Sequence, residues 1–173
     1  MRLTKSKMPL TTHKIELPNE VILGDASAML AKGKDVTIST KGNSMLPFIR
    51  GGVDSVELRK IPAIHRGDIV LAQIAPGHYV LHRVFREPEI FPDGRLAPET
   101  RITLMGDGNV RGTEICRACD ICGTVIHIIR PDGRISLPQS KSLQFVATLW
   151  RWLLPFRRYL LFIYRHIFLK KGY

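Results

Sequence analysis

Between Asp35 and about residue 137 the chain is a series of short β-branched and aromatic runs cut by Gly, Pro and Asp, too short and too regularly interrupted for helices. Val53-Asp54-Ser55-Val56-Glu57-Leu58 alternates with period two, and so does Val80-Leu81-His82-Arg83-Val84, which places Val80, His82 and Val84 on one face and Leu81 and Arg83 on the other. Ile69-Val70-Leu71-Ala72 follows a Gly67-Asp68 turn as a continuous apolar run, the pattern of a strand buried on both sides. Val36–Thr40, Arg101–Met105 and Thr124–Ile129 complete the set, and Pro131-Asp132-Gly133-Arg134 turns the chain into a last short strand. Six or seven strands at this spacing predict a mainly β domain, a small coiled antiparallel sheet or barrel. Residues 87–100, with Pro88, Pro92, Gly94 and Pro98, read as a surface loop or flap.

Two helical regions flank this block, giving an expected division into residues 1–34, 35–137 and 138–173. Residues 1–18 are polar. Pro18 then introduces a helix over about 19–33, in which Val21, Ile22, Leu23, Ala26, Met29 and Leu30 recur at near-helical spacing and Lys32-Gly33-Lys34 supplies the stop. No earlier helix precedes it, so a helix-turn-helix reading has no support. Residues 141–171 combine Leu143, Phe145, Val146, Leu149, Trp150, Trp152, Leu153 and Leu154 with Arg151, Arg157, Arg158 and Arg165. No charge-free run approaches the roughly 18 residues of a membrane span. Arg151, Arg158 and Arg165 are spaced by seven, as on one side of a helix, with Pro155 set to break it into two halves. Arg on one face with Trp, Tyr, Phe and Leu on the others is the composition of an interfacial amphipathic helix. Three destinations remain open for it: an anionic membrane surface, a partner protein, or the β domain itself.

The net charge of +11 resembles a nucleic-acid signature until its distribution is considered. Residues 1–133 carry 18 Lys and Arg against 15 Asp and Glu, whereas residues 134–173 carry 8 Lys and Arg and no acid. The excess belongs to the C-terminal stretch, and no nucleic-acid partner is expected. The three cysteines all fall in Cys116-Arg117-Ala118-Cys119-Asp120-Ile121-Cys122, which rules out a disulfide framework spread over the fold and fits a reducing compartment. Arg2, Lys5 and Lys7 are not followed by an apolar segment, so neither a signal peptide nor an N-terminal anchor is expected. The expected location is cytoplasmic, with peripheral attachment to the inner membrane face as a variant.

Within the β block, Lys41-Gly42-Asn43-Ser44-Met45-Leu46-Pro47 puts a serine on a turn at a strand end, since Pro47 forbids a regular helix through the segment. Taken alone this is ordinary turn chemistry. A serine hydroxyl becomes a nucleophile only when a base removes its proton. His82 is the candidate, because an imidazole with an unperturbed pKa of about 6.5 is largely neutral and able to accept a proton at pH 7. The backbone N–H of Ser44 is the natural oxyanion donor, with Gly42 and Asn43 giving the chain room to present it and Met45 beside them as a substrate-binding candidate.

Together these residues resemble the signal peptidase I superfamily, which includes the self-cleaving LexA-type repressors. Gly42-Asn43-Ser44-Met45-Leu46-Pro47 is similar to its Gly-x-Ser-Met-x-Pro box, Gly67-Asp68-Ile69-Val70 to the strand that follows, and Tyr79–Val84 to the strand carrying the general base. In that strand the bacterial signal peptidases have Lys, and the endoplasmic-reticulum type has His. Met105-Gly106-Asp107-Gly108-Asn109 resembles the later Gly-Asp-x-Asn box, and Cys122-Gly123-Thr124-Val125 the closing Gly-x-Val strand. The resemblance covers about residues 36–130 and implies a coiled antiparallel β domain hydrolysing peptide bonds with a Ser44/His82 pair. It also implies that Asp107 orients or electrostatically supports His82; turn chemistry in Gly-Asp-Gly-Asn is the other reading of that residue. Two departures stand out. Gly42 occupies the position where many signal peptidases have a second oxyanion serine, so either Asn43 or a second backbone amide substitutes or catalysis is weaker. No N-terminal transmembrane anchor is expected, so the expectation is a cytoplasmic or inner-surface peptidase, with His as its base, acting on a leader or modified peptide in place of the secretory housekeeping enzyme.

The remaining candidates carry less. Cys116-x-x-Cys119-x-x-Cys122 has metal-like spacing but needs a fourth ligand, Asp120 or His127, and a turn and strand start with buried or idle thiols is the preferred reading. His65, His78 and His127 read as surface or packing residues. No nucleotide loop or metal cluster is evident, so no cofactor and no metal are expected. The functional expectation is a serine endopeptidase cleaving a peptide or protein substrate. The alternative is a non-catalytic binding or regulatory module of the same fold, docked on a membrane surface or a partner protein. LexA-type self-cleavage is disfavoured because residues 1–43 hold neither an Ala-Gly nor a Cys-Gly bond.

Overall fold

A computed structural model describes residues 19–89, 91 and 96–169; the expected polar tail at 1–18 and the Pro92 and Gly94 part of the expected loop lie outside the described residues. The first element, α1 (Asn19–Ala31), ends as its sequence requires. Gly33 takes φ +74°, a conformation costly for any residue with a Cβ, and lets Lys34 N–H reach Met29 O at 3.2 Å and Gly33 N–H reach Leu30 O at 2.9 Å. Ala26 and Leu30 are buried, while Val21, Ile22 and Met29 stay exposed.

Eight strands follow: β1 (Val36–Ser39), β2 (Ser55–Arg59), β3 (Ile69–Ala75), β4 (His78–Val84), β5 (Arg101–Met105), β6 (Glu114–Arg117), β7 (Ile121–Ile129) and β8 (Ile135–Ser136). They form one antiparallel sheet in the order β1-β2-β7-β3-β4-β5-β6, with β8 added to β7. The sheet is not closed into a barrel: β1 and β6 are its two ends. The strand count exceeds the expected six or seven because β6, Glu-Ile-Cys-Arg, is short and mixed in polarity.

β3 is buried on both faces, as its unbroken apolar run predicts. Ile69 and Leu71 join a large cluster with Leu30, Ile38, Met45, Phe48, Ile49, Val56, Leu58 and Val125, while Val70 and Ala72 join a second with Val84, Ile102, Leu104, Cys116 and Ile121. Removal of a Leu or Ile side chain of this kind from water contributes about 1.5–3 kcal/mol. α1 packs on β7, β1 and β4, covering the first cluster.

The connection from β1 to β2, which carries Ser44, has almost no secondary structure and is held by one buried acid. Asp54 accepts from the Arg50 backbone N–H at 2.8 Å, from the Arg50 guanidinium at 2.8 and 3.1 Å, and from Arg130 Nη1 at 2.6 Å. Burial alone would raise its pKa, but the Arg50 bonds and the Arg130 charge more than offset this and hold it below the ordinary carboxylate value. The Thr40 hydroxyl donates to the carbonyls of Asp54 and Arg50, closing the base of the loop.

The C-terminal region begins at α2 (Lys141–Trp152), capped by Ser140. Pro155 then sits in a single 3₁₀ turn, Leu154–Phe156, before α3 (Arg157–Tyr164) and a π-helical segment, Arg165–Leu169. Leu143, Ala147 and Trp150 of α2 pack on the large cluster, and Trp150 Nε1–H donates to the Asp107 carbonyl at 2.8 Å. The inward positions Leu143, Ala147, Trp150, Leu154, Arg157 and Leu161 keep one helical phase across the Pro155 turn, and Arg151, Arg158 and Arg165 share the expected spacing of seven; Arg151 is half-buried and lines a cavity against the sheet, while Arg158 and Arg165 are exposed. Arg157 is turned inward and only 2% exposed. The outer surface is instead apolar, with Phe145 at 70%, Trp152 at 77% and Tyr159 at 66% exposure among its members. Among the described residues no helix is long and apolar enough to cross a membrane.

Candidate active site

Gly42 turns the chain after β1 with φ +75°, and Ser44 follows, partly buried, on the loop that Asp54 fastens. The loop is pressed against the Gly106-Asp107-Gly108 turn that leaves β5. Gly108 N–H donates to Ser44 O at 2.7 Å. A Cβ on Gly108 would lie 2.2 Å from Asn43 O, and one on Gly106 would lie 2.5 Å from Ser44 O. Both distances are far inside contact, so the glycines of the second box allow it to seat the serine turn.

β4 brings His82 to the same place. Arg83 pairs with Met105 and Val84 with Leu104, so His82 and Gly106 come next on their respective strands, and Gly106 is the residue lying against Ser44. Ser44 and His82 both line a cavity of about 370 Å³, together with Gly42, Met45, Tyr79, Leu81 and the α1 residues Ile22 and Leu23. Met45 faces this cavity and also anchors the loop in the core at 4% exposure. Asn43 lies on the surface, and its carbonyl accepts from Leu46 N–H at 3.3 Å.

His82 is 5% exposed, and its Nδ1 lies 2.6 Å from Glu114 Oε2 on β6. An ionised carboxylate can only accept, so this bond holds a proton on Nδ1, and in the neutral ring it is Nε2 that carries the lone pair. Among the described residues Nε2 has no hydrogen-bond partner, and neither do the hydroxyl and backbone N–H of Ser44. The chemical set is therefore a hydroxyl, an oriented imidazole and a free amide donor around one cavity.

Asp107, which the resemblance implies as a support for His82, makes no hydrogen bond to that ring among the described residues. Its carboxylate accepts from Arg83 Nε at 3.0 and 3.1 Å and from Arg83 Nη2 at 2.8 Å, while Arg83 Nη1 donates to Gly67 O at 2.7 Å. The physical reason is strand alternation: Arg83 points to the opposite face from His82, and the buried Asp107 lies on that side. The pair ties β4, the Gly67 turn and the Gly106–Gly108 turn together behind Ser44. Sequence reasoning missed Glu114. It pairs with Leu104, which pairs with Val84, so it lies across two strand spacings from the His82 end of β4. Only the strand register exposes that relation.

The other histidines and cysteines lie elsewhere. His127 Nδ1 faces Glu57 across the β2–β7 pair at 2.7 Å, and His65 Nδ1 faces Glu87 at 3.4 Å on the surface. Cys116 belongs to the second cluster and Cys122 to the first, with Cys119 exposed between them, so the three thiols diverge. Burial pushes the Cys116 thiol up to about 12 and raises Cys122 as well. Among the described residues no group of three His, Cys, Asp or Glu side chains is placed to hold a metal ion. Compared with known proteins, the chain matches no family model and no curated protein.

Proposed function

We propose that this protein is a serine endopeptidase of the signal peptidase type, with Ser44 as nucleophile, His82 as general base and Glu114 as the group that orients His82. The observation that carries this reading is the 2.6 Å contact from Glu114 to Nδ1 of a buried histidine whose cavity also contains Ser44. That contact fixes the tautomer a serine hydrolase needs. Nε2 takes the Ser44 proton as Oγ attacks the scissile carbonyl, then returns it to the leaving amine, and the Ser44 N–H receives the developing oxyanion. Hydrogen bonds of this kind are often long in the substrate-free state and tighten when substrate seats. The apolar lining from Ile22, Leu23, Met45, Leu71 and Leu81 favours a substrate entering with hydrophobic side chains.

The reading extends to place. Three free cysteines, one of them exposed, suit a reducing compartment. The uncovered face of Phe145, Leu149, Trp152, Phe156, Tyr159 and Phe162, in a stretch with no acidic residue, suits attachment to an inner membrane surface. Incubation of the full chain with a peptide library, with products identified by mass spectrometry, tests the activity. Cleavage by wild type and none by Ser44→Ala is the expected result. A folded wild type that cuts nothing, or a Ser44→Ala variant that cuts equally well, favours the non-catalytic module instead.

A further inference from the structure

A second cavity lies behind the candidate active site, between α2 and the sheet. Its volume is about 120 Å³, and Arg66, Arg83, Arg151 and Arg157 line it together with Thr148 and Gln144. Asp107 is the one acid in this lining, and its carboxylate is already engaged by Arg83. Arg157 reaches the cavity as a buried side chain. Its Nη atoms donate to the carbonyls of Asn109 and Trp150, but its Nε is buried with no partner. Arg66 and Arg151 hold no side-chain hydrogen bond among the described residues, and the nearby Glu87 carboxylate is used by the Arg66 backbone N–H and by His65. Burial and the neighbouring Arg66 charge both lower the Arg151 pKa; burial lowers that of Arg157 as well, against the opposing Asp107 charge and with a smaller contribution from Arg83.

Arg157 is buried with no carboxylate bonded to it among the described residues, and the exposed Arg66 and half-buried Arg151 add two more cations without an acid to the same hollow, an arrangement that an anion completes. Guanidinium forks match the oxygens of phosphate better than those of any single-atom anion, and a hollow of this size holds one such group and little more. We propose that the α2–sheet cavity is a binding site for a phosphate group, held by Arg66 and Arg151 at its mouth and by Arg157 at its floor. The phosphate comes from one of two sources, inorganic phosphate in solution or the headgroup of an anionic lipid under the exposed face of α2.

Thermal unfolding of the full chain in increasing inorganic phosphate, at ionic strength matched with chloride, tests the first source. Flotation with phosphatidylcholine vesicles with and without phosphatidylglycerol tests the second. Both are run on wild type, on the Arg66→Gln/Arg151→Gln double variant, whose residues have no side-chain bond to lose, and on Arg158→Gln as an exposed control outside the cavity. A saturable rise in Tm of a few degrees in wild type and Arg158→Gln, absent from the double variant, supports the site with free phosphate as its ligand. Phosphatidylglycerol-dependent flotation that drops severalfold in the double variant alone supports it with a lipid headgroup. The proposal is overturned if phosphate gives no saturable shift, or the same shift in the double variant, and flotation is likewise indifferent to the double substitution.

Discussion

Glu114 Oε2 stands 2.6 Å from Nδ1 of His82, and the two residues come from strands separated by β5. The contact makes His82 more than a buried histidine, because it commits one ring nitrogen to donate and leaves the other able to accept. Glu114→Gln replaces the acceptor with a side chain whose amide can donate to Nδ1, which favours the tautomer with no lone pair on Nε2. The predicted loss in kcat is roughly 10³–10⁴-fold with little change in KM, by analogy with the acid of a Ser-His-Asp triad. Single-turnover and steady-state peptide assays on the two proteins check it, and a variant with wild-type kcat would remove Glu114 from the mechanism.

Arg83 and Asp107 give a different signature. Their side chains are 12% and 6% exposed, so Asp107→Ala strands a buried guanidinium. The predicted cost is about 3–5 kcal/mol of folding stability, measured by urea unfolding. Any loss of activity should follow the unfolded fraction and be restored under stabilising conditions, unlike that of Glu114→Gln.

The glycines behind Ser44 separate a close-packing requirement from a conformational one. Gly108→Ala forces a methyl to 2.2 Å from Asn43 O, so the serine turn must move. Gly112, at φ +87° with open space around it, tolerates Ala at a cost of about 1 kcal/mol or somewhat more. Gly108→Ala is therefore predicted to lose at least ten times more kcat/KM than Gly112→Ala, as read in matched assays corrected for folded fraction.

Acid stability should report on Asp54. Its folded-state pKa lies below the model-peptide value of 3.8, since the bonds from Arg50 and the charge of Arg130 outweigh burial. The folded protein therefore binds this proton less readily than the unfolded chain. The stabilisation is fully present above pH 3.8 and is lost as pH falls through the folded value. Urea midpoints from pH 6 to pH 2 should fall more steeply for wild type than for Asp54→Asn, with the variant less stable at pH 6. Parallel slopes would contradict the assignment.

Thiol labelling checks the divergence of the three cysteines. With Cys116 and Cys122 buried and their thiols pushed upward, one equivalent of alkylating reagent should react at neutral pH, at Cys119, and the other two only in denaturant.

Much of the fold was legible in the sequence because period-two alternation and Gly/Pro punctuation act locally. β3 read as a doubly buried strand from Ile69–Ala72 alone, and α1 as a helix stopped by Gly33. Pro155 likewise marked the break between α2 and α3. Relations set by register were not legible. Glu114 meets His82 because of the β4–β5–β6 pairing, and Arg83 captures Asp107 because the β4–β5 register sets Arg83 beside Met105, although the alternation that parts residues 82 and 83 was itself legible. Arg157 continues the inward spacing of seven set by Leu143 and Trp150, but only the structure shows the Asn109 and Trp150 carbonyls that receive its charge.

Reactivity of Ser44 toward a serine-directed phosphonylating probe tests the central claim most directly. Tryptic mass mapping should find the adduct on Ser44 in wild type, none in Ser44→Ala, and labelling slowed by at least a hundredfold in a folded His82→Ala. An unlabelled Ser44 in wild type, or an equal rate in His82→Ala, would contradict the claim that this imidazole activates this hydroxyl.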